Sequence, residues 1–484
     1  MKIRLLTVVL LAFVVSACSS FPTVAERKSA ERPLIFPDYV GVTVPKNIAP
    51  LNFMVSGVKY IKADIALQGA KVLEVKGRDG LVDIPLDEWR KIMAQAAGKS
   101  LSITVSVWDK DEPQGVEFKP FDIHVSEDEI DGWVAYRLIE PSYEGWRQMG
   151  LYQRDLTSFV EKVLVDNSVN GDGCVNCHSF KNYSPDEMMF HARGKGGGTV
   201  FLKDGEISKV SFPEIGPKKQ GVYPMWNPLG RFVAYSSNDT VQAFFAKDEQ
   251  KIEVYDKASN LMIYDTEKGE MLVDPRFMDS TRMETFPAWS PDGESLYFCS
   301  AEPVVLPKDR KQLRYDILRV GFDRERGQLL EQVDTVYHSQ EDDRSASFPR
   351  ISPDGRYLLY ASSDCATFPV WHKQADMAMI DLQSKQRVDV SMLNSEESES
   401  CHAWSSSGRW VVVGSRRLDG RFTRLYFAHI DANGVCTKPF LLPQQNPLHN
   451  TWRMKSYNVP EFILGEVKLP MDQVKKLFEL RKGN

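Results

Sequence analysis

Cys174-Val175-Asn176-Cys177-His178 sets two thiols three residues apart, with an imidazole directly after the second. Thiols at that spacing can add to the two vinyl groups of one porphyrin, and the adjacent imidazole can then hold its iron. Zinc would need two further ligands, and no second Cys-x-x-Cys or His pair lies nearby. A thioredoxin-like redox pair would want a βαβ setting that the flanks do not show. A plain disulfide between Cys174 and Cys177 would leave His178 unexplained. Ser184-Pro185 begins a short helical pattern that offers Met188, Met189 and His191 within 13 residues of His178. A Met opposite the iron would raise its potential and a second His would lower it. Each has a plainer use as well, the methionines in core packing and His191 as a hydrogen-bonded loop residue. Phe180, Tyr183 and Phe190 would pack a porphyrin, and Arg193 would pair with one of its propionates.

These five residues resemble the attachment motif of c-type cytochromes, and the resemblance covers nothing else in the chain. It implies one covalent haem c on Cys174 and Cys177. His178 would be the proximal iron ligand, and His191, Met189 or Met188 the distal one.

The N-terminus gives an address. Lys2 and Arg4 precede an apolar run of 11 residues, Leu5 to Val15, which is too short to span a bilayer. Val15-Ser16-Ala17-Cys18 resembles the bacterial lipobox. That implies a signal peptide over 1–17, a lipid on Cys18, a loose tether over 18–32 and a place in the cell envelope. An ordinary secretory signal with an accidental cysteine is the alternative. Ser19 after the lipid cysteine is compatible with the outer membrane, facing the periplasm.

Around these residues the elements are mostly strands. Tyr60–Leu67, Leu101–Trp108 and Gly132–Ile139 alternate, and Asp87–Ala97 is helical with Asp87 as its cap. They predict a β-sandwich-like domain over 33–141 with one helical crossover. Tyr152, Leu156, Phe159, Val160, Val163 and Leu164 recur at helical spacing, so 142–198 reads as a short helical segment carrying the Cys-His site.

From there a repeat takes over. Tyr223-Pro224-Met225-Trp226-Asn227-Pro228-Leu229-Gly230 lines up with Phe286-Pro287-Ala288-Trp289-Ser290-Pro291-Asp292-Gly293. Phe348-Pro349-Arg350-Ile351-Ser352-Pro353-Asp354-Gly355 and Cys401-His402-Ala403-Trp404-Ser405-Ser406-Ser407-Gly408 follow in phase. The four Trp/Ile positions are 63, 62 and 53 residues apart, room for one four-stranded unit and a long loop each. Each turn has Pro to preset φ, Asp to bond local backbone and Gly to take positive φ; the fourth copy lacks the Pro-Asp pair. These units resemble TolB-type β-propeller repeats. The resemblance implies a propeller over 199–466, with five blades favoured over six. Thr199–Phe212 and Trp452–Leu464 would close the ring. Met471–Leu480 reads as an amphipathic helix within a tail over 467–484. Cys365 and Cys401 fall at the ends of neighbouring strands on one rim, which predicts a disulfide.

The 484 residues carry 60 Lys and Arg against 66 Asp and Glu, a net charge of −6. With no basic stripe, nucleic acid is excluded as the main partner. No serine-nucleophile elbow appears, and no acid–base constellation points to an enzyme. The expected function is electron transfer, or redox or ligand sensing, by a lipid-anchored haem protein. Its propeller would dock an envelope or redox partner. An envelope scaffold with structural cysteines, and a haem peroxidase or reductase, are the alternatives.

Overall fold

The computed structural model describes residues 21–140, 147–194, 196–218, 220–248 and 250–479. The lipobox and Cys18 lie outside the described residues, as does Leu480. No helix among them is long and apolar enough to cross a membrane.

The protein is mainly β. Its N-terminal part holds one seven-stranded sheet. Lys99–Trp108 lies at its centre, with Tyr60–Leu67 beside it and Ala70–Arg78 at the edge beyond. The second layer is not a matching sheet. It is the helix Leu86–Ala96 with a two-stranded ribbon, Phe53–Met54 against Leu81–Val82. The helix sinks Trp89, Ile92, Met93 and Ala96 into the core that holds Ile61, Ile65 and Ile103. Pro85 precedes the helix with no side-chain cap, and Asp87 sits inside the first turn rather than capping it. The expected loose tether is docked: Arg27–Lys28 pairs with Val116–Glu117, and the Phe21 ring meets Tyr60 edge-on at 5.2 Å.

Six four-stranded sheets follow among the described residues. Five are built in simple chain order. Their inner strands are Val175–Phe180, Val222–Trp226, Met283–Trp289, Ser345–Ile351 and Glu399–Trp404. The sixth takes its inner strand, Ser456–Ile463, from the end of the chain and pairs it with Trp133–Ile139. Gly150–Asp155 and Glu161–Asp166 complete it. Two sequence expectations are corrected here. Gly132–Ile139 does not belong to the N-terminal sheet, and Tyr143–Asn167 is not a helix in its described part. The helical run is broken at Asp155, whose carboxylate accepts from the Thr157 backbone N–H at 2.9 Å and from the Ser158 hydroxyl at 2.5 Å. This Asp turn folds the segment into a hairpin. Thr199–Phe212 joins the sheet begun by Val175–Phe180, not a sheet with the C-terminal strand.

The repeat chemistry is explicit at the turns. Gly293 and Gly355 take φ of 67° and 75°, and Ser290 and Ser352 each donate to the Asp two residues on at 2.5 Å. Trp289 donates its indole N–H to the Met225 carbonyl, and Trp404 donates to that of Arg350, so each staples its sheet to the preceding inner strand. The fourth copy, which has Ser406-Ser407 in place of Pro-Asp, turns toward the N-terminal part. Ser406 gives its backbone N–H and hydroxyl to Asp131 at 2.7 and 2.5 Å. Trp410 beside it is fully buried and donates to the Asp128 carbonyl at 3.2 Å. The C-terminal helix, Met471–Phe478, buries Val474 and Phe478 against the sheet that starts at Val175.

Candidate functional site in the central cavity

Every inner strand carries one extra residue relative to its partner strand. Between Asn176 and Ser179 the partner advances only from His191 to Met189. The same step occurs at Tyr223-Pro224, Phe286-Pro287, Phe348-Pro349, Ser400-Cys401 and Val459-Pro460. A β-bulge bends a strand and re-aims a side chain. Cys177, Tyr223, Phe286, Phe348 and Val459 sit in the left-handed region, with φ between 47° and 53°. Together with Cys401, these bulge residues all line one cavity of 970 Å³.

Cys177-His178 is therefore a further copy of the repeat. It stands where other sheets have Tyr-Pro or Phe-Pro, and where the fifth has Cys401-His402. Phe180 takes the Trp position. The in-phase Cys401-His402 dipeptide was the signal that could have revealed this.

Two sides of the cavity differ. Tyr223, Phe286 and Phe348 cluster, with ring centroids 4.4 and 4.0 Å from Phe286. Opposite them stand Cys174, Cys177, His178, Cys401, Arg137 and Glu461. His178 is 2% exposed, and the Val459 backbone is the polar group that meets its ring. Burial, with Arg137 nearby, pulls its imidazole down to about 3, so the ring is neutral. His402 in the equivalent place bonds the Leu359 carbonyl at 3.0 Å. Burial raises the Cys174 thiol above its ordinary range. Glu461 is pushed up to about 8, again by burial, with Arg350 opposing the shift. It is a neutral acid at pH 7 and accepts from the Phe180 backbone N–H at 3.1 Å.

Five arginines line the cavity, Arg137, Arg193, Arg350, Arg416 and Arg421, against two carboxyl groups, Glu140 and Glu461. Among the described residues none of the five forms an ion pair, and the Nε of both Arg137 and Arg416 has no hydrogen-bond partner. The cavity of an acidic chain is thus cationic.

The other expected site residues do not converge here. Met188 and Met189 are fully buried in two different cores, and the Tyr235 hydroxyl contacts the Met189 sulfur at 3.0 Å. His191 pairs across the strands with Asn176 and bonds Thr199 Oγ1 at 3.0 Å. None of the three lines the cavity; nor do Phe180, Tyr183 and Phe190, though Arg193 does. Cys174 and Cys177 are free thiols. So are Cys365 and Cys401, and the expected link between them is not formed. Cys401 lies against Asn458 at 3.6 Å, and Cys365 beside Glu253 and His372.

No family model and no curated protein matches this chain. Solved structures do resemble it. An oligogalacturonate lyase in complex with manganese shares 12% identity over 63% of this chain and 85% of its own, with a TM-score of 0.31. An oligogalacturonate lyase from Vibrio parahaemolyticus shares 11% over 78% and 100%, at 0.34. A thermostable family-43 glycoside hydrolase shares 14% over 56% and 95%, also at 0.34.

The expectation of a c-type cytochrome with haem c is accordingly corrected. The motif is a bulge of a repeated inner strand, the helical segment meant to hold the cofactor is strand, and the distal ligands lie in packed cores. Electron transfer, redox sensing and haem catalysis fall with it, as does the scaffold held by a Cys174–Cys177 disulfide.

Proposed function

We propose that the six sheets form one closed six-bladed propeller whose central channel binds an organic carboxylate with an apolar body. Closure is supported by contacts between successive inner strands, with Ser456–Ile463 touching both Glu399–Trp404 and Val175–Phe180. The observation that carries the reading is the lining: five arginines without ion-pair partners outnumber two carboxyl groups, of which Glu461 is neutral, beside an aromatic cluster. Arginine forks match carboxylates, and Tyr223, Phe286 and Phe348 would take the apolar part. An envelope location through Cys18 goes with the proposal; loss of palmitate labelling in Cys18→Ala would support it.

The test is calorimetric titration of the full chain at pH 7 with naphthalene-2-carboxylate and its amide. The carboxylate binds and the amide does not. Arg137→Gln and Arg350→Gln each weaken binding about 10- to 100-fold, the range of a charge-assisted hydrogen bond. Equal binding of acid and amide, or unchanged affinity in both variants, refutes it.

A further inference from the structure

A second constellation stands at the rim of the channel and is not used by the carboxylate reading. Glu253 comes from the long strand Ile252–Asp265, Cys365 from the loop after Tyr357–Ser363, and His372 from just past the short turn Pro369–Trp371. The three are 5%, 6% and 1% exposed. Their donor atoms, a carboxylate oxygen, a thiol sulfur and an imidazole nitrogen, all lie within 4.8 Å of one another. His372 Nε2 is 3.2 Å from Glu253 Oε1.

We infer that Glu253, Cys365 and His372 form a binding site for a divalent metal ion of the zinc class. Oxygen-seeking ions such as magnesium and calcium want carboxylates and carbonyls, whereas one sulfur, one nitrogen and one oxygen suit zinc. Zinc bonds of about 2.0–2.3 Å at tetrahedral angles put donors about 3.3–3.8 Å apart. The longest separation here closes to that with a shift of about 1 Å. Glu253 is buried, and among the described residues His372 is its one ion-pair partner, so a divalent cation would neutralise it. A buried carboxylate without positive charge is costly, and a metal removes that cost.

The supports of the three donors are in place. Gln250 Nε2 donates to Glu253 Oε2 and the Val254 N–H to Oε1, each at 3.2 Å, which holds the carboxylate with Oε1 beside His372. The His372 backbone is fixed at both ends, its N–H to Pro369 at 2.9 Å and its carbonyl to the Ala375 N–H at 3.0 Å. Ser363 donates to the Cys365 carbonyl at 3.1 Å, and the Ala366 N–H bonds Leu313 at 2.9 Å. Outer contacts of this kind orient metal ligands. Three protein ligands leave a fourth position open, as in sites where zinc holds water or substrate. Val254 and Trp371, each next to a donor residue, line the cavity.

The experiment uses full chain purified with reductant, stripped by chelator and dialysed against zinc or cobalt. One zinc per chain is expected, and cobalt should give the visible bands of a tetrahedral site with near-ultraviolet thiolate absorption. Cys365→Ser abolishes the thiolate absorption, and His372→Ala weakens zinc at least tenfold, while Cys174→Ser/Cys177→Ser changes neither. Zinc also protects Cys365 of the unmutated chain from iodoacetamide, read by peptide mass, which does not depend on any variant folding. No zinc uptake by the unmutated chain, thiolate absorption that survives Cys365→Ser, or protection of Cys174 and Cys177 in place of Cys365 overturns the inference. None of these outcomes bears on carboxylate binding in the channel.

Discussion

Glu461→Gln isolates the most consequential proton in the channel. Glu461 titrates near 8 in the folded chain against an ordinary 4.5, because burial disfavours its charge. Between those pH values the folded chain keeps a proton that the unfolded chain has released. Stability is therefore fully present below pH 4.5 and is lost as pH rises through 8. The gap of 3.5 units, at about 1.4 kcal/mol each, sets an upper bound of about 5 kcal/mol on the loss. Glutamine cannot titrate, and its carbonyl can still accept from the Phe180 N–H. Urea unfolding followed by tryptophan fluorescence at pH 5, 6, 7, 8 and 9 is the assay. The two chains should match near pH 5, and the variant should become the more stable by several kcal/mol at pH 9. Carboxylate binding should weaken above pH 8 in the unmutated chain, as Glu461 ionises among the arginines, and hold in the variant. Parallel stability curves from pH 5 to 9 would refute the buried, neutral assignment.

Three further outcomes follow from the packing. Trp410→Ala should cost about 3–5 kcal/mol by emptying a fully buried site and orphaning the Asp128 carbonyl, seen as a lowered urea midpoint. His178→Phe should keep stability within about 1–1.5 kcal/mol, since it gives up one backbone contact at Val459 and a buried neutral imidazole; a loss above about 3 kcal/mol in thermal unfolding would show further hydrogen bonds to the ring. His191 and His402 are depressed to about 4 and His178 to about 3 by burial, so the unfolded chain takes up protons below pH 6.5 that the folded chain refuses. Stability then falls toward acid by up to about 1.4 kcal/mol per pH unit for each, and His402→Gln should flatten the fall between pH 6.5 and 4.

The turns were legible in the sequence because their chemistry is local: Ser290-Pro291-Asp292-Gly293 contains its own hydrogen bonds and its own positive φ. Two sheets escaped for different reasons. The Cys177-His178 copy has Phe180 for Trp and no Pro-Asp-Gly turn, so in the sequence only its likeness to Cys401-His402 marks it. The sheet of Trp133–Ile139 is fixed by a partner strand at the other end of the chain, which no window of sequence displays. The Gly150–Asp166 hairpin was misread because its apolar spacing fits a helix, and the competing Asp155 turn decided the matter. At the site, Cys174, Cys177 and His178 were found but given a role that their strand does not support. The arginines that line the same cavity come from four separate sheets and loops, and only the folded chain brings them together.

The seam between Trp133–Ile139 and Ser456–Ile463 joins residues up to 330 positions apart. At roughly 5–20 residues per second of synthesis, the early strand waits about 15–60 s for its mate. Throughout that interval it offers a bare hydrogen-bonding edge to any neighbouring chain. Arrival of Ser456–Ile463 is thus what covers this edge.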